Sequence, residues 1–307
     1  MKSKIRKRWT SGVLLFLTLI LAVAISSLYF YFKLTHRVVG QYVEVNNIHL
    51  HYTDEGAGEP VILVHGFATN ADLNWRLPGI HNELKAHFRV IAMDLRGHGL
   101  SDKPHSPEAY GLEMVKDIAA LMDELGIQSA HLVGYSLGGF LVLKFAVLYP
   151  QRVRTLSIMG AGWANPEERD FQQSLEAIAQ QLRAGRAIGP LSAAWPEARR
   201  KPGVLHTTFV MLMTRYFNDP LALAAMVEAL PEIAVSREDL AHLRVPICVI
   251  VGERDPLRGS AENLCANVPC TFILIPGADH VTAPFSQTLR DSLVKCLLYK
   301  SMETTRN

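Results

Sequence analysis

A serine between two glycines near the middle of the chain has the surroundings of a catalytic nucleophile. The pentapeptide Gly134-Tyr-Ser136-Leu-Gly138 follows an apolar, strand-like run and opens a helix-like one. So sharp a turn from strand to helix leaves no room for side chains two residues either side, and it projects the central hydroxyl outward. The helix N-terminus beneath adds free N–H groups and a positive dipole end. The pattern predicts a nucleophilic Ser136; the alternative is a serine in an ordinary glycine-rich turn.

A serine hydroxyl is a weak nucleophile and needs a base within hydrogen-bond reach, which an acid must hold in one tautomer. In the chain order Ser…Asp…His, the base is His280, after the last strand-like run, and the acid is Asp255, after the preceding one. Glu253 and Asp279 are rival acids. Glu253 lies too near its strand end, and Asp279 is adjacent to His280, where neighbouring side chains seldom converge.

Attack on a carbonyl creates a negative oxygen that needs preorganised donors. The N–H of Leu137, directly after the nucleophile, is one candidate. The second is the N–H of Phe67, in the His65-Gly66-Phe67 loop that follows an apolar run. Gly66 would let the backbone approach the substrate closely, and His65 is expected to shape this loop by hydrogen bonding. The sequence therefore predicts an oxyanion hole formed by Phe67 and Leu137.

The stretch Asp94-Leu-Arg-Gly-His-Gly-Leu-Ser101 contains a histidine that could pass for a second base. A scaffold role is favoured for His98, because this position lies off the expected Ser–His–Asp arrangement. Asp94 and Arg96 are expected to pair locally. His131 begins a strand and is expected to be a satisfied core or surface histidine.

Eight short runs predict strands. They are Gln41–Val45, Ile48–Thr53, Val61–Val64, Arg89–Met93, His131–Gly134, Thr155–Met159, Ile247–Val251 and Phe272–Ile275. The first two form a hairpin about Asn46-Asn47, and the short continuous apolar runs are typical of strands buried on both faces. Amphipathic stretches between them, including Leu137–Leu148 and Ser286–Tyr299, predict helices. The alternation indicates an open, doubly wound sheet whose ligands bind beyond the carboxyl ends of its strands.

From Trp163 to about Leu243 the alternation stops, and only helix-like segments remain: Phe171–Arg183, Thr207–Phe217 and Leu221–Leu230. We interpret residues 163–243 as a helical lid inserted into a core formed by residues 38–162 and 244–300, with a polar tail at 301–307. Apolar lid side chains could line an acyl pocket, although packing on the core explains most of them. Gly66, Tyr135, Trp163 and Met211 are the candidate substrate contacts.

Residues 12–32 contain no charge and would form a helix of about 31 Å, enough to cross a hydrocarbon core. Five basic residues precede this run, so the positive-inside rule keeps the N-terminus cytoplasmic and places the rest on the far, periplasmic or extracytoplasmic side. The prediction is a single-pass anchor in the lipid bilayer (residues 1–37 with its basic prefix). A signal cleaved near Ala22-Val-Ala24, giving a secreted protein, is the alternative.

The formal net charge of +2 in 307 residues, with both signs spread along the chain, gives no footprint for nucleic-acid binding. Four cysteines are compatible with an oxidising compartment. Cys265 and Cys270 could form a local disulfide there, whereas Cys248 and Cys296 are interpreted as small buried hydrophobes. No Cys/His cluster has metal-ligand spacing, so neither a metal nor a cofactor is expected. The oligomeric state stays open.

Five motifs together resemble the α/β-hydrolase superfamily. They are His65-Gly-Phe67, Asp94-Leu-Arg-Gly-His-Gly-Leu-Ser101, Gly134-Tyr-Ser-Leu-Gly-Gly139, Val251-Gly-Glu-Arg-Asp255 and Gly277-Ala-Asp-His280, in that family's order across about Gln41 to Lys300. The resemblance implies a mostly parallel, eight-stranded, doubly wound sheet with an inserted helical lid. It also implies the triad Ser136, Asp255 and His280 and the donors Phe67 and Leu137. The N-terminal transmembrane helix is a departure from the soluble majority.

Within that family the sequence is most similar to lidded bacterial esterases and carbon–carbon bond hydrolases. Relatives that open epoxides or displace halide carry aspartate at the elbow, because an alkyl–carboxylate ester can be hydrolysed later. The ether that a serine would form could not be hydrolysed in this way, so Ser136 argues against epoxide opening and halide displacement.

The expected function is a serine hydrolase that cleaves carboxylic esters, with an apolar acyl group or a glyceride as the small-molecule substrate, through an acyl-enzyme. Carbon–carbon bond hydrolysis, lactone or thioester hydrolysis and cofactor-free perhydrolysis with the same triad are alternatives. The remaining alternative is a binding protein that has the hydrolase fold but no catalytic activity. The complete triad argues against this alternative.

Overall fold

The computed structural model describes residues 38–164, 169–184 and 218–304. Eight strands form one sheet in the order β1-β2-β4-β3-β5-β6-β7-β8. Their bounds are β1 Gln41–Val45, β2 Ile48–Gly56, β3 Pro60–Val64, β4 Arg89–Met93, β5 Ala130–Tyr135, β6 Val153–Met159, β7 Ile247–Gly252 and β8 Thr271–Ile275. β2 pairs antiparallel with β1 and β4, and all other pairings are parallel. The predicted eight-stranded, mostly parallel sheet is confirmed.

Helices cover both faces of this sheet. They are α1 Ile80–Leu84, α2 Leu112–Glu124, α3 Leu137–Leu148, α4 Arg169–Arg183, α5 Pro220–Ala229, α6 Arg237–His242, α7 Arg258–Asn267 and α8 Gln287–Thr304. Alternate residues of β3 enter opposite cores: Ile62 packs with residues of α2 and α3, and Leu63 packs with residues of α1 and α8. Both side chains are fully buried, as expected for a strand covered on both faces.

The β1–β2 hairpin turns at the predicted asparagines. Asn46 and Asn47 have φ of 45° and 62°, a left-handed conformation that asparagine tolerates better than most residues. The side-chain amide of Asn46 also donates to Asp117 at 2.9 Å. The turn is therefore tied to helix α2 behind it.

The described part of the predicted lid is helical and contains no strand. It comprises α4, α5 and α6, and α4 packs against α5 with a two-pronged ion pair between Arg183 and Glu228 at 2.6 Å. The predicted helix Thr207–Phe217 lies outside the described residues. Closure of this insertion over a substrate stays a prediction.

The predicted membrane anchor at residues 12–32 also lies outside the described residues. Among the residues that the structure does describe, none of the helices combines the length and the apolar character needed to span a bilayer. The anchor and the extracytoplasmic location stay predictions.

All four cysteines are paired. Cys265–Cys270 forms the local bridge between α7 and β8 that the sequence left open, with Cα atoms 5.4 Å apart. Cys248 of β7 is bonded to Cys296 of α8, with Cα atoms 6.3 Å apart. The interpretation of Cys248 and Cys296 as separate buried thiols is therefore wrong. Their residues are 48 apart in sequence, and only the packing of α8 against β7 brings them together.

We expect the Cys248–Cys296 bridge to contribute most of the disulfide stabilisation, because closing a longer loop removes more entropy from the unfolded chain. Replacing both residues by alanine should lower the free energy of unfolding by about 2–4 kcal/mol, measured by chemical denaturation. The matched control is the Cys265→Ala/Cys270→Ala double variant, whose sequence separation is only 5. An equal or larger loss in that control would contradict the prediction.

Candidate active site

Ser136 lies at the turn between β5 and α3 in a strained conformation, with φ 53° and ψ −117°. Its N–H donates to the carbonyl of Met159 at 2.8 Å, which ties the turn to the neighbouring strand. A Cβ on Gly134 would lie 2.2 Å from the carbonyl oxygen of Gly138, and a Cβ on Gly138 would lie 2.0 Å from that of Val64. Glycine is a steric requirement at both positions, as the sequence predicts.

The structure brings the three predicted triad residues into one hydrogen-bonded chain. His280 Nε2 lies 3.0 Å from Ser136 Oγ, and His280 Nδ1 lies 2.9 and 3.0 Å from the two carboxylate oxygens of Asp255. The Asp255 side chain is fully buried, while 29% of the His280 side chain is exposed. An ionised carboxylate only accepts hydrogen bonds, so Nδ1 carries the proton and Nε2 is left to accept the serine proton.

Asp255 follows β7 and is held by its own loop. One of its oxygens accepts the N–H of Leu257 at 2.8 Å. The loops after β7 and β8 are also joined, because the N–H of Arg254 donates to the carbonyl of Ala278 at 2.8 Å. A Cβ on Gly252 would lie 2.5 Å from that same carbonyl oxygen. The acid and the base are therefore carried by two loops in direct contact.

Glu253 and Asp279, the alternative candidates for the triad acid, accept hydrogen bonds from backbone N–H groups instead. Glu253 accepts the N–H of Gly277 at 2.7 Å. Asp279 accepts the N–H groups of Val281 and Thr282 at 3.0 and 2.9 Å. Both carboxylates thus shape the loop that carries His280, and neither reaches its ring by a hydrogen bond.

Tyr135, a predicted substrate contact, is bonded to the loop that carries His280. Its hydroxyl donates to the backbone carbonyl of His280 at 2.5 Å, and the two rings lie 5.3 Å apart. The residue is only 5% exposed. Burial, with the nearby Asp255 and Asp279 carboxylates, raises the pKa of Tyr135 well above its ordinary value, so the hydroxyl remains a donor. The position of Tyr135 next to Ser136 in the sequence did not indicate that its hydroxyl would hold the loop of His280.

The loop with the predicted oxyanion donor lies against the nucleophile. A Cβ on Gly66 would lie 3.2 Å from the Cβ of Ser136, which explains why glycine precedes Phe67. The side chain of Asn74, which the sequence analysis did not identify, accepts the Gly66 N–H at 2.8 Å. Among the described residues, no protein acceptor takes the N–H of Phe67 or of Leu137. Phe67 and Leu137 stay the candidate oxyanion donors.

Two buried histidines brace this loop. His65 Nδ1 lies 2.7 Å from the carbonyl of Gly66 and its Nε2 accepts the N–H of Leu95 at 3.0 Å. His98 Nε2 accepts the N–H of Ala68 at 3.1 Å. Burial lowers the pKa of His98 to about 3, and the positive potential of His65 adds to this. His98 is therefore neutral, in the scaffold position that the sequence favours.

The expected pair between Asp94 and Arg96 is wrong, because each side chain turns to a different partner. Asp94 contacts His51 Nδ1 at 3.0 Å, and Arg96 makes two 2.6 Å hydrogen bonds to Asp117 of α2. Asp94 also accepts the N–H of Ala71 at 2.9 Å. Burial alone would raise its pKa, but the hydrogen bond from His51 and those from the backbone hold the pKa below its ordinary value.

The remaining predicted residues divide between the core and the undescribed segment. Trp163 is 3% exposed, and its indole N–H donates to the carbonyl of Val235 at 2.8 Å, so it fixes the start of the insertion. His131 is buried and bonded to Thr155 at 2.8 Å, as a satisfied core histidine. Met211 lies outside the described residues. No group of three potential metal ligands occurs in the described part of the chain.

The strand order, the strained elbow and the Ser–His–Asp geometry define the class of α/β-hydrolases. A family profile described as the alpha/beta hydrolase fold matches residues 59–187. The solved structure of a thermophilic esterase from Thermogutta terrifontis is similar with a TM-score of 0.68, at 26% identity over 87% of this chain and 99% of that one. The enol-lactonase of Burkholderia xenovorans has the same TM-score at 23% identity, and the match covers 84% of this chain and 100% of the lactonase chain. The profile match and these structures show that the chain has the α/β-hydrolase fold.

Three curated relatives show the chemistry found on similar sequences. A 2-hydroxy-6-oxo-2,4-heptadienoate hydrolase of Pseudomonas putida is 43% identical over 40% of this chain and 45% of its own length. The bifunctional epoxide hydrolase 2 of Sus scrofa is 37% identical over 36% of this chain and 20% of its own length. A serine hydrolase of Mus musculus, BPHL, is 28% identical over 78% of this chain and 79% of its own length. The first two matches span less than half the length of those relatives.

We expect Tyr135→Phe to lower kcat by about threefold to tenfold with little change in KM, because a base held less firmly spends less time in the reactive geometry. Steady-state kinetics measure the effect. Tyr110→Phe is the matched control, since Tyr110 is also buried and donates to a carbonyl, that of Pro104, at 2.6 Å. Equal losses of kcat in the two variants would show that the effect is not specific to His280.

We expect buried, neutral His98 to make the fold acid-sensitive. The pKa of His98 is about 3 in the folded state and about 6.5 in the unfolded chain. Between these values only the unfolded state binds the proton, so the free energy of unfolding falls by about 1.4 kcal/mol per pH unit as pH drops.

Glutamine can accept the Ala68 N–H without titrating, so His98→Gln should remove this slope between about pH 6 and pH 4. Denaturant unfolding across this range is the measurement. Above about pH 7, where His98 is neutral in both states, the two proteins should have parallel profiles. If the free energy of unfolding fell equally steeply with pH in wild-type protein and His98→Gln below about pH 6, the role given to His98 would be refuted.

Proposed function

We propose that the chain is a serine hydrolase in which Ser136 attacks a substrate carbonyl, His280 is the general base and Asp255 orients the histidine. The observation that carries the proposal is the unbroken contact from Asp255 through His280 to Ser136, at 2.9 and 3.0 Å. Reacting groups already within hydrogen-bond reach convert proton transfer and attack into one positioned step.

The chemistry follows from the donors and acceptors in place. As Ser136 Oγ bonds to the carbonyl carbon, its proton passes to His280 Nε2. The negative oxygen then accepts the N–H groups of Phe67 and Leu137. Breakage of the bond to the leaving group re-forms the carbonyl as an acyl-enzyme, and His280 gives its proton to the leaving group. Water, deprotonated by His280, repeats the sequence and releases a carboxylic acid.

The preferred substrate class is a 6-oxo dienoate, in which the bond that breaks joins the carbonyl carbon to another carbon. The 43% identical Pseudomonas putida relative is named for a 2-hydroxy-6-oxo-2,4-heptadienoate substrate, and this supports the proposal. Before cleavage the dienol must tautomerise, with loss of the 2-hydroxyl proton and gain of a proton at the carbon next to the 6-oxo carbonyl. The resulting 2-oxo group delocalises the negative charge left on the departing carbon, which then takes the proton. No cofactor is required for this step, because the substrate supplies its own electron sink.

Hydrolysis of a carboxylic ester is the second candidate. The similarity to the Thermogutta terrifontis esterase, which extends over 87% of the chain, favours it. An apolar acyl or glyceride ester would use the same groups, with an alkoxide taking the proton.

Epoxide opening, despite the similarity to an epoxide hydrolase, does not fit the serine nucleophile. Attack by a hydroxyl on an epoxide carbon gives an ether, which has no carbonyl for a water molecule to attack. A carboxylate at this position would give an ester that water can cleave. The residue at position 136 therefore excludes a covalent epoxide mechanism through this side chain.

The test compares the full-length protein with Ser136→Ala on two substrate types. One is 2-hydroxy-6-oxo-6-phenylhexa-2,4-dienoate, followed by loss of its visible absorbance, and the others are p-nitrophenyl acetate and octanoate. We expect dienoate cleavage with the higher kcat/KM, and a loss of at least about a thousandfold in Ser136→Ala on every substrate.

A fluorophosphonate probe should label wild-type protein and not the alanine variant. Higher kcat/KM on the esters would reverse the order of the two candidates. Retention of more than about a tenth of the activity in Ser136→Ala is incompatible with covalent catalysis through this residue.

A further inference from the structure

Ala68, directly after the proposed oxyanion donor Phe67, has a left-handed backbone with φ 53°. A side chain disfavours this conformation, which persists only where surrounding contacts impose it. One such contact is the hydrogen bond from the Ala68 N–H to His98 Nε2, at 3.1 Å. The strain lies one residue from the group that must point at the substrate.

The second contact comes from a residue 150 positions away in the chain. The side-chain amide of Asn218 donates to the carbonyl of Ala68 at 3.1 Å. Asn218 is 9% exposed, and its Oδ1 is buried with no hydrogen-bond partner among the described residues. Leaving a buried acceptor unpaired is unfavourable. Among the described residues, the hydrogen-bond partner of this amide is the carbonyl of the strained Ala68.

The backbone of Asn218 is itself fixed by the start of α5. Asp219 is the N-cap, and its Oδ1 accepts the N–H groups of Leu221 and Ala222 at 2.9 and 3.2 Å. Its other oxygen contacts His105 Nε2 at 2.8 Å. Asn218 therefore extends from an anchored helix end, and its amide is preorganised toward Ala68.

Together these contacts hold the oxyanion loop on both sides of Phe67. Asn74 fixes the Gly66 N–H before it, at 2.8 Å. His98 and Asn218 fix the two polar atoms of Ala68 after it. These bonds to the N–H and the carbonyl of Ala68 restrain its backbone, and with the Asn74 bond they restrain the short segment that carries the Phe67 N–H.

We propose that Asn218 is a positioning residue that acts through Ala68 to aim the Phe67 N–H at the oxyanion, linking the helical insertion to the catalytic centre. The inference rests on the proposed serine hydrolase function. It makes Asn218 stabilise the transition state without touching substrate, because the interaction it supports strengthens only as negative charge develops.

The test uses Asn218→Asp and Asn218→Ala in the full-length protein, with the substrates named above. Aspartate keeps the size of the side chain but replaces the donor by an oxygen, and alanine removes it. We expect kcat to fall by about tenfold to a hundredfold in both, as for a catalytic group displaced by about 1 Å. KM should change by less than about threefold, because the ground-state carbonyl depends little on the donor.

A second readout separates positioning from a structural role. An alkyl trifluoromethyl ketone forms a hemiketal with the serine and places its oxygen in the oxyanion hole. Its inhibition constant should rise by the same factor as kcat/KM falls, while the melting temperature changes little. Asn267→Ala is the matched control: this amide accepts from Arg237 at 3.0 Å on another face, and both readouts should stay at the wild-type value.

Unchanged kcat and ketone affinity in both Asn218 variants would overturn the proposal. So would a fall in melting temperature and kcat with unchanged ketone affinity, since that would show a merely structural role. If fluorophosphonate fails to label wild-type protein, the proposed serine hydrolase function is itself overturned, and this inference with it. Labelled wild type with unaffected Asn218 variants overturns the inference alone.

Discussion

The hydrogen bond between His280 and Ser136 is the contact on which the rest of the structure depends, because the two residues come from strands on opposite sides of β6. It exists only if β5 ends in a turn tight enough to expose the hydroxyl, and if the loop after β8 bends back across the sheet edge. The glycines of the elbow provide the first condition. The bond from Tyr135 to the His280 carbonyl and the joined β7 and β8 loops provide the second.

Most of the polar groups near the site support other residues. Glu253 and Asp279 shape the loop of the base, His65 and His98 brace the loop of the oxyanion donor, and Asp94 ties that loop to β2 through His51. Each is a group that could be mistaken for a catalytic acid or base from its type alone. Paired, buried polar groups restrain the loops of the site, because such groups are costly to leave unsatisfied.

The two disulfides lie in the part of the chain that carries the acid and the base. Cys248 is in β7, seven residues before Asp255, and Cys270 directly precedes β8. Neither bridge touches the triad, but both restrain the strands from which its loops emerge. Bridges of this kind persist in oxidising compartments; the extracytoplasmic location stays a prediction.

The sequence by itself determined the strands and the local chemistry. The periodicity and the apolar runs located β1 to β8 to within three residues, and the glycine spacing identified Ser136. These features follow from steric rules acting over a few neighbouring residues. Chain order then selected Asp255 and His280 from many acids and histidines. Only the tertiary structure decided which side chains meet: Arg96 with Asp117, Cys248 with Cys296, Tyr135 with the His280 carbonyl and Asn218 with Ala68. Such pairs join positions 21 to 150 residues apart, and their formation depends on how helices pack on the sheet, which no local pattern encodes.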